Sequence, residues 1–212
     1  MAARKRRATR ARRRRGYHHG DLRRALLDAA LALIARNGVS ALTLRAVARR
    51  AGVSHAAPAH HFGDLLGLLH ALADESFEAL RAHMLAAIAG APDAQVALRR
   101  SGVAYVDFAV ANPARFRAMF HPAIGDAAAE PSAAQAAAYE VLLAGIRAVY
   151  GTPALGEREA AELALSAWAP MHGLAALAVD RQLEGKGLAT TDPLKLAEVL
   201  TAHAQDPRRP SC

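Results

Sequence analysis

Apolar residues recur along most of the chain at three- and four-residue intervals, the period of an amphipathic helix. In 21–36, Leu22, Leu26, Ala29 and Leu33 share one face with Ala25, Ala30 and Ile34. Asp21 is placed to cap this helix, and Asn37-Gly38 ends it with residues that accept positive φ. The same reading predicts short helices over 44–51, opened by Thr43 and closed by Gly52, and over 55–62, opened by Ser54. A long helix follows over 65–89, then helices over 93–111, 114–120, 132–150, 157–183 and 193–204. No sustained period-two alternation marks strands, and no fixed repeat marks a solenoid. The 55 alanines, the best helix formers, agree. The expected fold class is all-α.

The helices 44–51 and 55–62 are joined by Gly52-Val53-Ser54 and braced by the longer helix 21–36, the outline of a helix-turn-helix. Leu42, Ala46, Val47, Ala51, Val53 and Phe62 are its candidate core. The candidate DNA-binding residues are Thr43, Arg45, Ser54, His55, Ala56, Ala57, His60 and His61. Thr43 can cap its helix or offer its hydroxyl to a phosphate, with Arg45 beside it in the first turn. Ser54 is expected to cap the next helix, whose exposed face carries the His and Ala residues. Small side chains there let the helix approach base edges, and Ala methyls can meet thymine methyls. Pro58 falls near the fourth residue of that helix, where it would forfeit a backbone hydrogen bond.

Charge sharpens the division. The formal net charge is +8, yet nine basic side chains and no acid lie in residues 1–15. Residues 16–63 hold six Arg and two Asp, and residues 64–212 hold 12 basic and 17 acidic residues. The expected organisation is therefore a basic arm (1–19), a DNA-binding domain (20–80) and a mildly acidic helical domain (81–206). No apolar segment follows the basic run, as a secretory signal would require. The longest uncharged apolar stretch, Leu163 to Val179, has 17 residues, short of the roughly 20 that span a bilayer. Cys212 is the sole cysteine, so no disulfide framework is available. These features point to a soluble cytoplasmic protein without membrane contact.

The run from Asp21 to Leu69 resembles the DNA-binding domain of TetR-family transcriptional regulators. The resemblance is carried by the Gly38 turn, Leu42-Thr43-Leu44-Arg45 with Val47-Ala48, Ala51-Gly52-Val53-Ser54, and His61-Phe62 before the long helix. More weakly, Asn112-Pro113-Ala114-Arg115-Phe116-Arg117-Ala118-Met119-Phe120 and Trp168…His172-Gly173 resemble the C-terminal domain of a subgroup with a Trp-His-Gly signature. The resemblance implies a homodimer, a palindromic double-stranded operator, and a small effector in the C-terminal domain that releases DNA, most simply as a repressor. Two positions depart from it. Ala59 stands where the family usually has an aromatic that contacts phosphate, and Leu65 where it usually has Lys. The basic arm is a candidate to supply the phosphate binding these lack.

Trp168, Met171 and His172 share one helical face near Pro170, and with Tyr105, Phe108, Phe116, Met119 and Phe120 they are candidates to line an effector pocket. Few cations lie in those segments, which points toward a neutral, apolar or aromatic ligand. The small residues of 157–183 and 193–204 suit close packing across a two-fold axis. A non-specific architectural nucleic-acid binder driven by the arm is the competing reading. An enzyme is not expected, since no nucleophile elbow, phosphate loop, dinucleotide fingerprint or HExxH occurs. Glu157 and Glu159 sit at a helix start, where the dipole alone accounts for them. His18-His19 and His60-His61 have no accompanying carboxylate or thiol cluster, so neither a metal nor another cofactor is expected.

Overall fold

The computed structural model describes residues 19–124, 130–151, 155–188 and 190–204. The basic arm ahead of His19 and the terminal Cys212 lie outside them. The described residues form nine α-helices and no strand: α1 (His19–Asn37), α2 (Leu44–Ala51), α3 (Ala57–Phe62), α4 (Leu65–Ile88), α5 (Ala94–Ala111), α6 (Pro113–Met119), α7 (Ala133–Tyr150), α8 (Glu157–Val179) and α9 (Pro193–Ala204). One 3₁₀ turn, Val39–Ala41, leads from α1 toward α2.

Helix starts follow the capping chemistry written in the sequence. The Thr43 hydroxyl accepts from the Ala46 N–H (3.1 Å), and Asp64, Asp93 and Ser132 do the same for Gly67 (2.8 Å), Val96 (2.7 Å) and Gln135 (3.2 Å). Gly52 closes α2 in the left-handed conformation, φ 70°.

Three expectations are corrected. Helix α1 is already formed at His19, so Asp21 lies within its first turn rather than ahead of it. Helix α3 begins at Ala57, and Ser54 does not cap it: the cap position is Ala56, with no side-chain bond. Pro58 therefore sits in the first turn, where a missing N–H costs nothing because no carbonyl precedes it in the helix. Helix α8 stops at Val179, four residues early, and the chain then turns through Arg181 at positive φ (56°).

Two large cores divide the molecule, and a smaller cluster of Leu98, Ile146 and Ala164 joins α5, α7 and α8. The first joins Leu26, Leu27, Ala30 and Ile34 of α1, Leu42, Val47 of α2, and Leu68, Leu69 and Leu72 of α4. The second begins one residue later on α4, at Ala73, and gathers Phe77, Leu80, Tyr105, Phe108, Phe116, Met171 and Leu174. Helix α4 thus serves both cores. Helix α8 is long and apolar enough to cross a bilayer by length and composition, but here it packs against α5, α7 and α9.

Candidate functional site

The helix-turn-helix presents its polar residues outward around a closed core. Val47 and Ala48 are fully buried and Leu42 nearly so, while Ala46, Ala51, Val53 and Phe62 are half-covered. Thr43, Arg45, Arg49 and Arg50 are exposed on α2 or its cap. Because Thr43 Oγ1 serves as acceptor for its helix, its own O–H remains available to a phosphate. Ser54, His55 and Ala56 are exposed but lie in the turn before α3 rather than on it. Ala57 opens α3 half-covered, His60 is exposed, and His61 is partly covered beside Phe62, ring centroids 6.1 Å apart. The Arg23 guanidinium of α1 lies over Phe62, 5.6 Å from the ring centre, pinning α3 to α1. Ala59 is exposed and offers no phosphate donor, and Leu65 packs toward the core.

Helix α3 is held to α4 by an unusually close approach. The Phe62 carbonyl accepts from Asp64 N–H (3.0 Å) and lies so near Gly67 that a Cβ on that residue would overlap it. The Asp64 side chain meanwhile caps the Gly67 N–H. Only glycine fits that position of α4.

The second region is hollow. A cavity of about 550 Å³ opens among α4, α5, α7 and α8, with α9 at one edge. Of the residues expected there, Tyr105, Phe120, Trp168 and Met171 form its wall. His172 and Phe116 stand behind them, the His172 ring 4.5 Å from Phe120, 5.2 Å from Trp168 and 5.4 Å from Phe116, centroid to centroid. Phe108 and Met119 are buried in the same core away from the wall, Phe108 packing 6.0 Å from His83. The sequence reading missed the α7 side of the cavity, Tyr139, Leu142, Leu143, Ile146 and Tyr150. These recur at three- and four-residue spacing, a stripe visible in the sequence but assigned no partner. It also missed Leu80, Met84 and Arg99.

The Tyr105 hydroxyl, on a buried side chain of this wall, lies 2.7 Å from His172 Nδ1. Burial pushes the Tyr105 pKa far above its ordinary value of 10.0, opposed in part by a side-chain hydrogen bond with Trp168. Burial also lowers the His172 pKa below 6.5. At neutral pH the pair is therefore uncharged, the hydroxyl and Nδ1 sharing one hydrogen bond. Among the described residues no cluster of three His, Cys, Asp or Glu side chains comes together.

Helix α6 joins the two regions. Its Ala118 is fully buried in the first core and its Phe116 in the second. Arg115 reaches Glu75 of α4 (3.0 Å), which also meets Arg24 of α1 (3.3 Å). Arg117 donates to the Val179 carbonyl (2.8 Å) and to Asp180 (3.1 Å) at the end of α8.

A three-helix DNA-binding head, seated through α4 and α6 on a larger helical body, defines a DNA-binding transcriptional regulator. Residues 26–72 match the family model for bacterial regulatory proteins of the tetR family, and residues 98–204 match the tetracyclin repressor-like C-terminal domain. The chain belongs to the TetR family. Its structure is similar to that of a protein of unknown function from Rhodococcus sp. RHA1, at 33% identity and TM-score 0.70, covering 89% of this chain and 96% of that one. It is also similar to a TetR-family regulator from Marinobacter aquaeolei VT8 (22% identity, TM-score 0.63, 86% and 94% covered). A third likeness is to the TetR-family regulator PfmR from Thermus thermophilus (20% identity, TM-score 0.62, 92% and 100% covered). The last two speak to the fold alone. No curated protein matches the chain.

Proposed function

We propose that this regulator is a repressor that binds a palindromic operator as a homodimer and leaves it when a small, largely apolar effector enters the α4–α8 cavity. One observation carries the reading: the DNA-binding head and the hollow body share α4 and are bridged by α6. A ligand that moves Phe116 or Phe120 thus acts on the end of α6, where Ala118 between them belongs to the head's core. Thr43, Arg45 and the turn at Ser54, His55 and Ala56, with Ala57, His60 and His61 on α3, form the DNA-facing surface. Arg45 and Thr43 hold phosphates, and the small residues approach base edges.

The dimer pairs α8 and α9 with their symmetry mates. Leu165 (55% exposed) and Leu177 on α8, with Val199 and Leu200 on α9, are large apolar side chains left outside the subunit's own core. That placement suits an isologous interface. The test is selection of bound duplexes from a random pool at moderate salt. Recovery of an inverted repeat with half-sites one or more helical turns apart supports the reading. A pool that emerges unenriched sinks it and leaves a non-specific binder.

A further inference from the structure

The walls of the cavity carry one charge without a counter-charge among the described residues, and its position gives the effector a chemical class. This inference rests on the effector reading above. Two acidic or basic groups reach the wall, Glu140 and Arg99. Glu140 is held by Arg147 at 2.9 Å. Arg99, half-buried on α5, has neither an ion-pair nor a hydrogen-bond partner among the described residues. Arg99 and Thr201 of α9 also line a second, more open hollow between α4, α5 and α9, so they stand at the threshold between the two spaces. In that outer hollow Asp107 is held by His83 (2.8 Å), Arg100 adds a second cation, and exposed Glu198 is the acid with no basic partner among the described residues. Among the described residues of the inner cavity Arg99 is the only such charge.

We infer that the effector is a carboxylate on an apolar body, the body lying among Tyr105, Tyr139 and Trp168 and the carboxylate meeting Arg99 at the threshold. An apolar occupant displaces the water that solvates a half-buried guanidinium, and a cation so stripped requires a counter-charge. Arginine has only donors, and its planar fork matches a carboxylate in two parallel hydrogen bonds. A neutral alcohol supplies one weak acceptor, and an amine is repelled. The expectation of a neutral ligand followed from the few cations in the segments around Phe116 and Trp168, and the two that flank Phe116 are already held, Arg115 by Glu75 and Arg117 by Asp180 and the Val179 carbonyl. Arg99 enters the wall from a different turn of α5.

The test uses the full chain and its own reporter, since Trp168 is the single tryptophan and lines the cavity. Decanoate, decanol and decylamine, which share one apolar body, are titrated against Trp168 emission at neutral pH. Decanoate binds about tenfold or more tighter than decanol, and decylamine binds weakest. Arg99→Gln loses that advantage while binding decanol as the parent does, which also shows that the variant is folded. Equal affinity for acid and alcohol in the parent overturns the inference, as does a preference for acid that survives in Arg99→Gln. If none of the three perturbs Trp168, the effector cavity falls with it, so the two failures are told apart.

Discussion

The head and the body of this chain solve opposite packing problems. The head is solid: Leu26, Leu27, Ile34, Val47, Leu68 and Leu72 are fully buried in it, and its candidate site is an outward surface of about twenty consecutive residues. The body is larger and left incompletely filled, and its candidate site is a space bounded by five helices scattered over roughly half the chain. A surface site needs its scaffold to be rigid, because a displaced helix cannot follow a groove that is fixed in shape. A cavity site needs its scaffold to give, because a ligand can act only by favouring one arrangement of the walls over another. Rigidity in the head and compliance in the body should therefore be separable by substitution.

The largest separation is expected at Gly67. Helix propensity alone predicts that Gly67→Ala stabilises α4 by about 1 kcal/mol. The Phe62 carbonyl occupies the space that the new Cβ needs, and it is backbone that cannot rotate aside. Overpacking of that kind costs about 1–3 kcal/mol, so the steric term wins and α3 is pushed off α4. Operator binding should fall by two orders of magnitude or more, while ligand titration of Trp168 in the body stays close to the parent. An alanine variant that binds operator normally would show that the α3–α4 junction has slack.

A smaller effect is expected where the regions meet. Glu75 accepts from Arg115 of α6 and faces Arg24 of α1, with its side chain 20% exposed. Glu75→Gln keeps the shape and removes the charge that holds two cations from separate helices. The loss should be about 1–2 kcal/mol, between exposed and buried pairs. Its distinguishing sign is in coupling: effector and operator each still bind, but the effector's power to weaken operator binding drops several-fold. Equal coupling in parent and variant would move the linkage to the apolar contacts of Phe116 and Ala118 alone.

The same contrast explains what the sequence disclosed. The head was legible because its signals are local. Thr43 three residues before Ala46, Gly52 at a left-handed turn and the periodic leucines of α1 each act within one or two helical turns. The errors there were also local: Asp21 and Ser54 both look like caps, but α1 is already formed at His19, and Pro58 fits best in a first turn, with α3 starting at Ala57. In the body, helix starts were legible for the same reason, with Asp93 and Ser132 capping as their side chains suggest, whereas the end of α8 fell four residues before the expected one. The cavity was only half legible. Tyr105, Phe120, Trp168 and Met171 advertise themselves as aromatic or polarizable, but a gap is defined by which faces fail to meet. Nothing in Tyr139, Leu143 or Arg99 says which helix lies opposite.

The smallest effect tests whether the interior of the body is as dry as the cavity wall suggests. His172 is the imidazole the aromatic wall encloses, and two forces on it oppose each other. Burial favours the neutral ring, whereas the faces of Phe116, Phe120 and Trp168, 4.5–5.4 Å away, would favour an imidazolium. Burial decides the balance, and because Tyr105 keeps its proton, no negative charge stands at Nδ1 to hold an imidazolium. The folded pKa is thus below 6.5, the unfolded chain binds the proton more readily, and stability rises with pH across that interval. The contribution is complete above pH 6.5 and is lost as pH falls through the lower, folded value. Since the ring is only about half enclosed, the loss should amount to less than about 1 kcal/mol. Thermal unfolding of the parent and of His172→Gln, compared at each pH, cancels the other histidines. The parent's advantage should shrink on acidification below pH 6.5. An advantage that grows instead would mean the rings hold a cation, and that the body recognises positive charge as readily as the head presents it.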